Sequence, residues 1–418
     1  MNRDHSMLFS PARIGSLVVP NRFVRSGTAE IAAALLGEFT EEDIASYRRL
    51  ARSGIGLLIV GGPAVLPLAA CESSIDAWDY CYDSGSIAGT QRLLGAIREE
   101  APDCKILAQL ECNALIAGDR PAAPSPVQSP FYHERFRELS SSEIEALIAA
   151  FVETIVRMDV EGFDGVQLHA AHGGALWYFL SPRGNWRDDK YGGSVENRVR
   201  IVAEIVQGVR QRIGAFPILI KANCIDHLEG GIDKELFAVT ARELERVGID
   251  AIEVSGGTWD SLTRSEAELG FRPIPAAESR TGILAPENQA YYRSFIEGLS
   301  LSIPLILVGG IRNVDVAEAV VEDGVADFVA MCRPLIREPD LVDRWKRGEG
   351  SAEAECIACN ACIHSMYLPF DRLGRRTVTC LAQHDRELFN EALRWLDSAI
   401  DEIVVDPSVR GAESRKDE

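Results

Sequence analysis

The chain repeats one rhythm: a short apolar run, a turn, then an amphipathic helix. The apolar runs are Phe23–Ser26, Gly56–Gly61, Lys105–Leu110, Gly165–His169, Ile218–Asn223, Ala251–Ser255, Leu305–Val308 and Phe328–Met331. Hydrophobicity is continuous along each run rather than alternating, the pattern of parallel strands covered on both faces. Helical patterns follow, among them Glu41–Arg52, Ser141–Met158, Val195–Arg212, Lys234–Val247 and Val314–Glu322. Gly54, Gly248 and Gly324 stand where such helices would end in a left-handed turn. Eight strand–helix units closing on themselves make an α/β (β/α)8 TIM barrel; a doubly wound open sheet is the other arrangement this rhythm allows.

At 418 residues the chain exceeds a bare barrel. Residues 1–350 are expected to form the barrel. Residues 351–418 are expected to form an extension carrying a cysteine cluster, a helix around Arg386–Ile400 and a polar tail. The proline-rich stretch 111–137 and the stretches 170–193 and 256–285 read as long loops after the third, fourth and sixth strands. In a barrel those loops lie at the C-terminal mouth, where active sites are built. The net charge of −20 disfavours nucleic acid and anionic membrane surfaces, which leaves a small molecule as the expected partner, with a homo-oligomer compatible. No apolar run approaches a membrane span, and the first residues lack the apolar core of a signal peptide. Ten unevenly spaced cysteines, several inside apolar runs (Cys104, Cys224, Cys332), suit reduced thiols in a cytoplasmic protein.

The fourth run ends GVQLHAAHGGALWYFLSP. His169 closes the strand and His172 follows three residues later, so two imidazoles could donate to one substrate oxygen and polarise it. The plainer reading is a pair of loop histidines that cap backbone groups. A zinc pair lacks an obvious third ligand. The seventh unit, LILVGGIRNVDVAEAV, puts Gly309 and Gly310 between a strand and a helix start, where backbone N–H groups favour an anion. The eighth, DFVAMCRPLIREP, places Arg333 just past its strand, and the loops after strands seven and eight commonly bind phosphate in barrels. Gln109 and Lys221 interrupt apolar runs near strand ends, so each is expected to face a ligand or the polar mouth. The alternative for Lys221 is an ion pair with Asp226 or Glu229.

In their order along the chain, LFSPARIGSLVVPNRFVRS, GFDGVQLHAAHGGALWYFLSPRGNWRDDKYGGSVENRVR, HLEGGID, IEVSGG, VGGIR and CRPLIREPDL resemble the Old Yellow Enzyme family, in the branch near 2,4-dienoyl-CoA reductase and trimethylamine dehydrogenase. The resemblance runs from about Leu8 to Gly348, and it implies that LFSPARIGSLVVPNRFVRS forms an N-terminal hairpin and the first strand of the barrel. It implies FMN at the barrel mouth, with NAD(P)H as electron donor. Ser26, Gly27, Thr28, Ala29 and Gly62 would line the flavin, Gln109 would bond its pyrimidine edge, and Lys221 would sit by N1 and O2. Gly309, Gly310, Cys332 and Arg333 would hold the phosphate. His169 and His172 would be the catalytic pair on the substrate oxygen. The implied activity is reduction of a C=C bond conjugated to a carbonyl. The alternatives are flavin-dependent oxidation of an amine and a flavoprotein without turnover.

Three departures from the family pattern stand out. Gly174 replaces the usual tyrosine that gives a proton to the reduced alkene, and Tyr178 is the nearest candidate substitute. Ala29 stands where Thr, Cys or an aromatic residue usually tunes the flavin. The third-strand motif continues Gln109–Leu110–Glu111–Cys112 rather than QLxHAGR. Beyond the barrel, Cys356, Cys359 and Cys362, with Cys380 later, are candidate ligands of zinc or an iron–sulfur cluster. The cluster-bearing relatives have one residue more between the second and third cysteines, and the alternative is a set of reduced thiols.

Overall fold

The computed structural model describes residues 5–28, 39–65, 86–112, 115–117, 120–131, 135–367 and 378–405. Eight parallel strands close into a barrel: β1 (Phe23–Arg25), β2 (Leu57–Ala64), β3 (Lys105–Glu111), β4 (Gly165–Ala170), β5 (Ile218–Asn223), β6 (Ala251–Ser255), β7 (Leu305–Leu307) and β8 (Phe328–Met331). Each strand pairs with its neighbour in sequence, and β8 returns to β1 with Val329 opposite Phe23. The open-sheet alternative is thereby excluded.

The layers follow from the apolar pattern. Leu57, Ile59, Leu107, Leu219, Ala251, Ile306, Phe328 and Ala330 form one buried cluster, which also takes in Ile14 and Val19. Those two belong to the hairpin Ala12–Ile14/Leu17–Val19, which therefore packs its apolar face against the barrel interior. The opposite strand faces join the helices in a second, larger core. The main helices are α1 (Glu41–Arg52), α2 (Ser86–Glu100), α3 (Ser141–Glu161), α4 (Val195–Ile213), α5 (Lys234–Arg246) and α6 (Val314–Glu322). Thr40 and Ser140 start α1 and α3 with reciprocal capping boxes. Gly54, Gly248 and Gly324 follow α1, α5 and α6 at φ of 75°, 96° and 65°, as helix-ending residues should.

The mouth loops carry more structure than their composition suggested. The stretch after β3 includes a small sheet of Leu115–Ala117, Arg120–Ala123 and Arg137–Glu138. The loop after β4 holds the short helix Ala175–Leu180, and the loop after β6 holds a 3-10 turn at Trp259–Thr263. Beyond residue 350 the chain is tied to the barrel by Arg312. Its guanidinium donates to the carbonyls of Ala354 and Cys356 and pairs with Glu353 at 2.6 Å. The final helix, Arg386–Val405, runs slightly past its expected end. Among the described residues no helix is long and apolar enough to cross a membrane.

Asp226, just past β5, locks the β4 and β5 loops together. Its carboxylate accepts from the Trp177 indole (2.7 Å), Ser181 hydroxyl (2.7 Å), Asn223 amide (2.9 Å) and Ile232 backbone N–H (2.8 Å). It is fully buried, and burial raises its pKa despite these four donors. Asp226→Ala strands four buried donors, so a loss of about 3–5 kcal/mol is expected. A urea midpoint equal to wild type would show that the four bonds are dispensable.

Candidate active site

Side-chain hydrogen bonds inside the barrel, some between neighbouring strands and some across the lumen, meet at one polar layer. Gln109 on β3 donates from Nε2 to Oε1 of Gln167 on β4, at 2.7 Å. Gln167 donates from Nε2 to Oε2 of Glu253 on β6, also at 2.7 Å. The other carboxylate oxygen of Glu253 accepts from the Ser26 hydroxyl at 2.6 Å and pairs with Lys221 Nζ at 3.1 Å. Lys221 also donates to Ser26 Oγ at 2.9 Å. Lys221 and Glu253 are directly opposite in the β5–β6 register, and both are buried. The partner of Lys221 is therefore a strand carboxylate and not Asp226, which the loop donors occupy, nor Glu229.

This layer floors a cleft enclosing about 680 Å³, its mouth included. Ser26, Gly27, Lys221 and Ser255 line one end; Gly309, Gly310, Cys332 and Arg333 line the other. Gly27 is glycine because a Cβ there would stand 2.7 Å from the Gln109 amide. Gly309 and Gly310 have φ of 132° and 75°, and a Cβ on Gly310 would meet the Tyr291 ring at 2.8 Å. Arg333 donates to the Arg280 carbonyl at 2.9 Å and to Asn360 Oδ1, and it forms no ion pair among the described residues. A fixed guanidinium facing neutral acceptors beside two glycines suits a phosphate. Thr28 Oγ1 lies 3.1 Å from Cys332 Sγ, which joins the two ends of the chain at this wall. Gly62 lies within β2. Ala29 lies outside the described residues.

His169 and His172 stand together, ring centroids 5.0 Å apart. His172 adopts φ of 59°, a left-handed conformation costing a non-glycine residue about 1–3 kcal/mol. Its backbone is held there by Asn223 Oδ1, which accepts from its N–H at 3.3 Å, and by Trp259 N–H, which donates to its carbonyl at 3.2 Å. Its Nε2 lies 2.7 Å from Ser255 Oγ, on the cleft wall. His169 Nε2 is 3.8 Å from Glu111 Oε1, while its buried Nδ1 has no hydrogen-bond partner. Burial lowers the pKa of both rings well below 6.5, and the Lys221 charge adds to the effect. The pair is thus neutral near pH 7, and each ring offers one N–H.

Gly174 has φ of −69°, open to any residue, and a Cβ there would find its neighbours, His169 Cδ2 among them, at an ordinary 3.5 Å. Tyr178 turns away: it is buried against Phe136 and Trp177 in the main core and does not line the cleft. It is therefore not the missing phenol's substitute. Cys356, Cys359, Cys362 and Cys380 are free thiols, with Cys356 on the cleft wall. Cys356 and Cys359 receive the backbone N–H groups of Ala358 and Ala361. Even so, no three His, Cys, Asp or Glu side chains among the described residues converge as a ligand set, and no step is assigned to a metal.

Sequence reasoning had singled out Gln109 and Lys221 but missed Gln167, Glu253 and Asn223. The same signal was present for them: a polar residue inside an apolar strand.

The depressed histidines predict a pH dependence. Unfolded, each titrates near 6.5; folded, each stays neutral to lower pH. Below pH 6.5 the unfolded chain therefore binds more protons, and stability falls by up to about 1.4 kcal/mol per pH unit per histidine. His169→Asn is expected to make the stability–pH slope between about pH 5 and 6.5 shallower in urea titrations. A slope equal to wild type would contradict this cause.

The sequence profile of the NADH:flavin oxidoreductase / NADH oxidase family matches residues 7–351. The chain is 34% identical over 372 residues to an NADH oxidase of Thermoanaerobacter brockii, the match covering 85% of this chain and 53% of that protein. It is 32% identical over 371 residues to a metal reductase of Desulforamulus reducens, covering 87% and 52%. The chain thus spans about half the length of these two curated relatives. Its fold is similar to that of a 2-naphthoyl-CoA reductase solved with 2-naphthoyl-CoA, at a TM-score of 0.75 and 23% identity, covering 93% of this chain and 58% of that one. The chain belongs to the NADH:flavin oxidoreductase family, the family of Old Yellow Enzyme.

Proposed function

We propose that the protein is an FMN-dependent oxidoreductase that reduces an electron-poor C=C bond with electrons from NAD(P)H. The observation that carries this reading is one cleft with a phosphate-type wall at one end and, at the other, a floor of a Lys221–Glu253 pair and two amides beside two neutral imidazoles. Bound there, FMN would supply hydride from its reduced ring. Gly309, Gly310 and Arg333, with Cys332 beside them, would hold the phosphate. Ser26, Gly27, Thr28, Gln109 and Lys221 would line the ring, with Gly62 on the neighbouring strand.

His169 and His172 would bind the substrate carbonyl oxygen. Being neutral, they can donate hydrogen bonds without placing a full charge beside Lys221. The unpartnered Nδ1 of His169 is the group most in need of a ligand. Asn223, anchored by Asp226, would keep His172 in its costly backbone conformation through substrate exchange.

A second reading, oxidation of an amine, draws on Glu278. This carboxylate lines the same cleft and forms no ion pair among the described residues, so it could receive an ammonium group.

Heat-released cofactor from the purified protein should be FMN by chromatography, and Arg333→Ala should weaken its retention by about tenfold or more. Anaerobic spectra decide between the readings. Bleaching by NADH or NADPH, followed by reoxidation with an enone, supports the first. Bleaching by amines alone supports the second. Protein without flavin after reconstitution rejects both.

Gly174 supplies a sharper test of proton delivery. Gly174 has a φ open to any residue and would take a Cβ beside His169 at ordinary contact distance, so Gly174→Tyr needs no backbone change at this position. If proton supply limits turnover, the variant should reduce cyclohexenone faster, toward the roughly 10²–10⁴-fold that a placed general acid contributes. Flavin reduction by NAD(P)H should hardly change. Loss of turnover on every substrate, with FMN retained, would instead show that the space itself is needed.

A further inference from the structure

The fully buried carboxylate of Glu253 lies at the centre of the floor, yet it does not face the cleft. Its two oxygens receive three donors of the floor: Ser26 and Lys221 on one, Gln167 on the other. A carboxylate can only accept, and this fixes what its neighbours do. Gln167 must turn its NH2 group toward Glu253, so its carbonyl oxygen faces Gln109. Gln109 must then turn its own NH2 group toward Gln167, as the 2.7 Å bond shows. The chain of amides thus has one polarity, and Gln109 is left with its carbonyl oxygen as the free-running end. An amide without such an anchor could turn over at little cost, exchanging acceptor for donor.

The same carboxylate sets the charge. Lys221 is a cation on the lining of the proposed ring site, and at 3.1 Å Glu253 neutralises much of its field in a low-dielectric interior. The floor is therefore not a bare positive site but a near-neutral pair.

We infer that Glu253 is a positioning residue for the cofactor: through Gln167 it makes Gln109 an acceptor for a ring N–H, and through Lys221 it limits how strongly the floor favours a negatively charged reduced ring. This inference rests on the FMN reading above and goes beyond it. Redox and affinity measurements separate the two.

Three proteins are compared with wild type by equilibrium reduction of the bound flavin. In Glu253→Gln, with Lys221 uncompensated, the reduced form should bind about tenfold more tightly relative to the oxidised one. For a two-electron couple that is a potential about 30 mV more positive. Lys221→Met should shift it the opposite way. The double variant, which removes both charges, should lie between the singles. It also keeps the test open if Glu253→Gln alone does not fold. A Glu253→Gln potential equal to wild type, or a double variant equal to Lys221→Met, overturns the charge role. For polarity the probe is N3-methyl-FMN, which has no ring N–H to give. Wild-type apoprotein should bind it about tenfold or more weakly than FMN, while Gln167→Leu, which frees the Gln109 amide, should bind both within about threefold. Equal binding of the two flavins by wild type overturns that role. Wild type that binds neither flavin rejects the FMN reading itself, and this inference falls with it.

Discussion

The pairing of β8 with β1 is the constraint on which the rest of the molecule depends. It is a short seam, with Val329, Ala330 and Met331 opposite Phe23, Val24 and Arg25. Closure leaves no sheet edge and creates an interior in which side chains from distant strands meet. It also brings Ser26–Thr28 against Cys332, so the wall of the cleft is made from the two ends of the barrel sequence. Without the seam, Ser26 could not reach Glu253, and the floor under the cleft would lose the hydroxyl that joins Lys221 to that carboxylate.

Inside the barrel, apolar and polar layers divide the work. The lower layers, with the hairpin residues Ile14 and Val19, are packed and dry. The upper layer holds Gln109, Gln167, Lys221 and Glu253, each buried and each satisfied by another. Burying a charge pair is costly unless its remaining lone pairs and protons find partners. Here the amides and the Ser26 hydroxyl complete the set. The histidines differ: both are buried, His169 Nδ1 has no partner, and their neutrality follows from that burial. A satisfied floor beside one unpartnered imidazole nitrogen is an arrangement in which the floor holds its shape while that nitrogen remains open to a ligand.

Much of this was legible in the sequence. Continuous apolar runs located all eight strands to within a few residues, because strands covered on both faces have no alternation to blur them. Glycines after α1, α5 and α6 marked helix ends because only φ above zero closes those turns cheaply. Gln109 and Lys221 stood out as polar interruptions. Glu253 and Gln167 interrupt their runs in the same way, but their meaning depends on which strands face one another across the lumen, and spacing along the chain does not carry that. Tyr178 shows the opposite error. One helical turn from Gly174 looked close in sequence, but the short helix Ala175–Leu180 points that phenol into the core. The small sheet after β3 was hidden because its strands are only two to four residues long and one contains proline.

The seam between the first and last strands also orders events in time. Phe23 and Val329 are separated by about 300 residues of chain. A ribosome adds roughly 5–20 residues per second, so β1 is made about 15–60 s before its partner exists. Through that interval the first strand has one edge unpaired, and the cleft has only half of its wall. Local strand–helix units can form as they emerge, since their contacts are near in sequence. The wall of the cleft cannot, because it is shared between the beginning and the end of the barrel. The cleft is therefore completed only when the eighth strand has been made and has paired with the first.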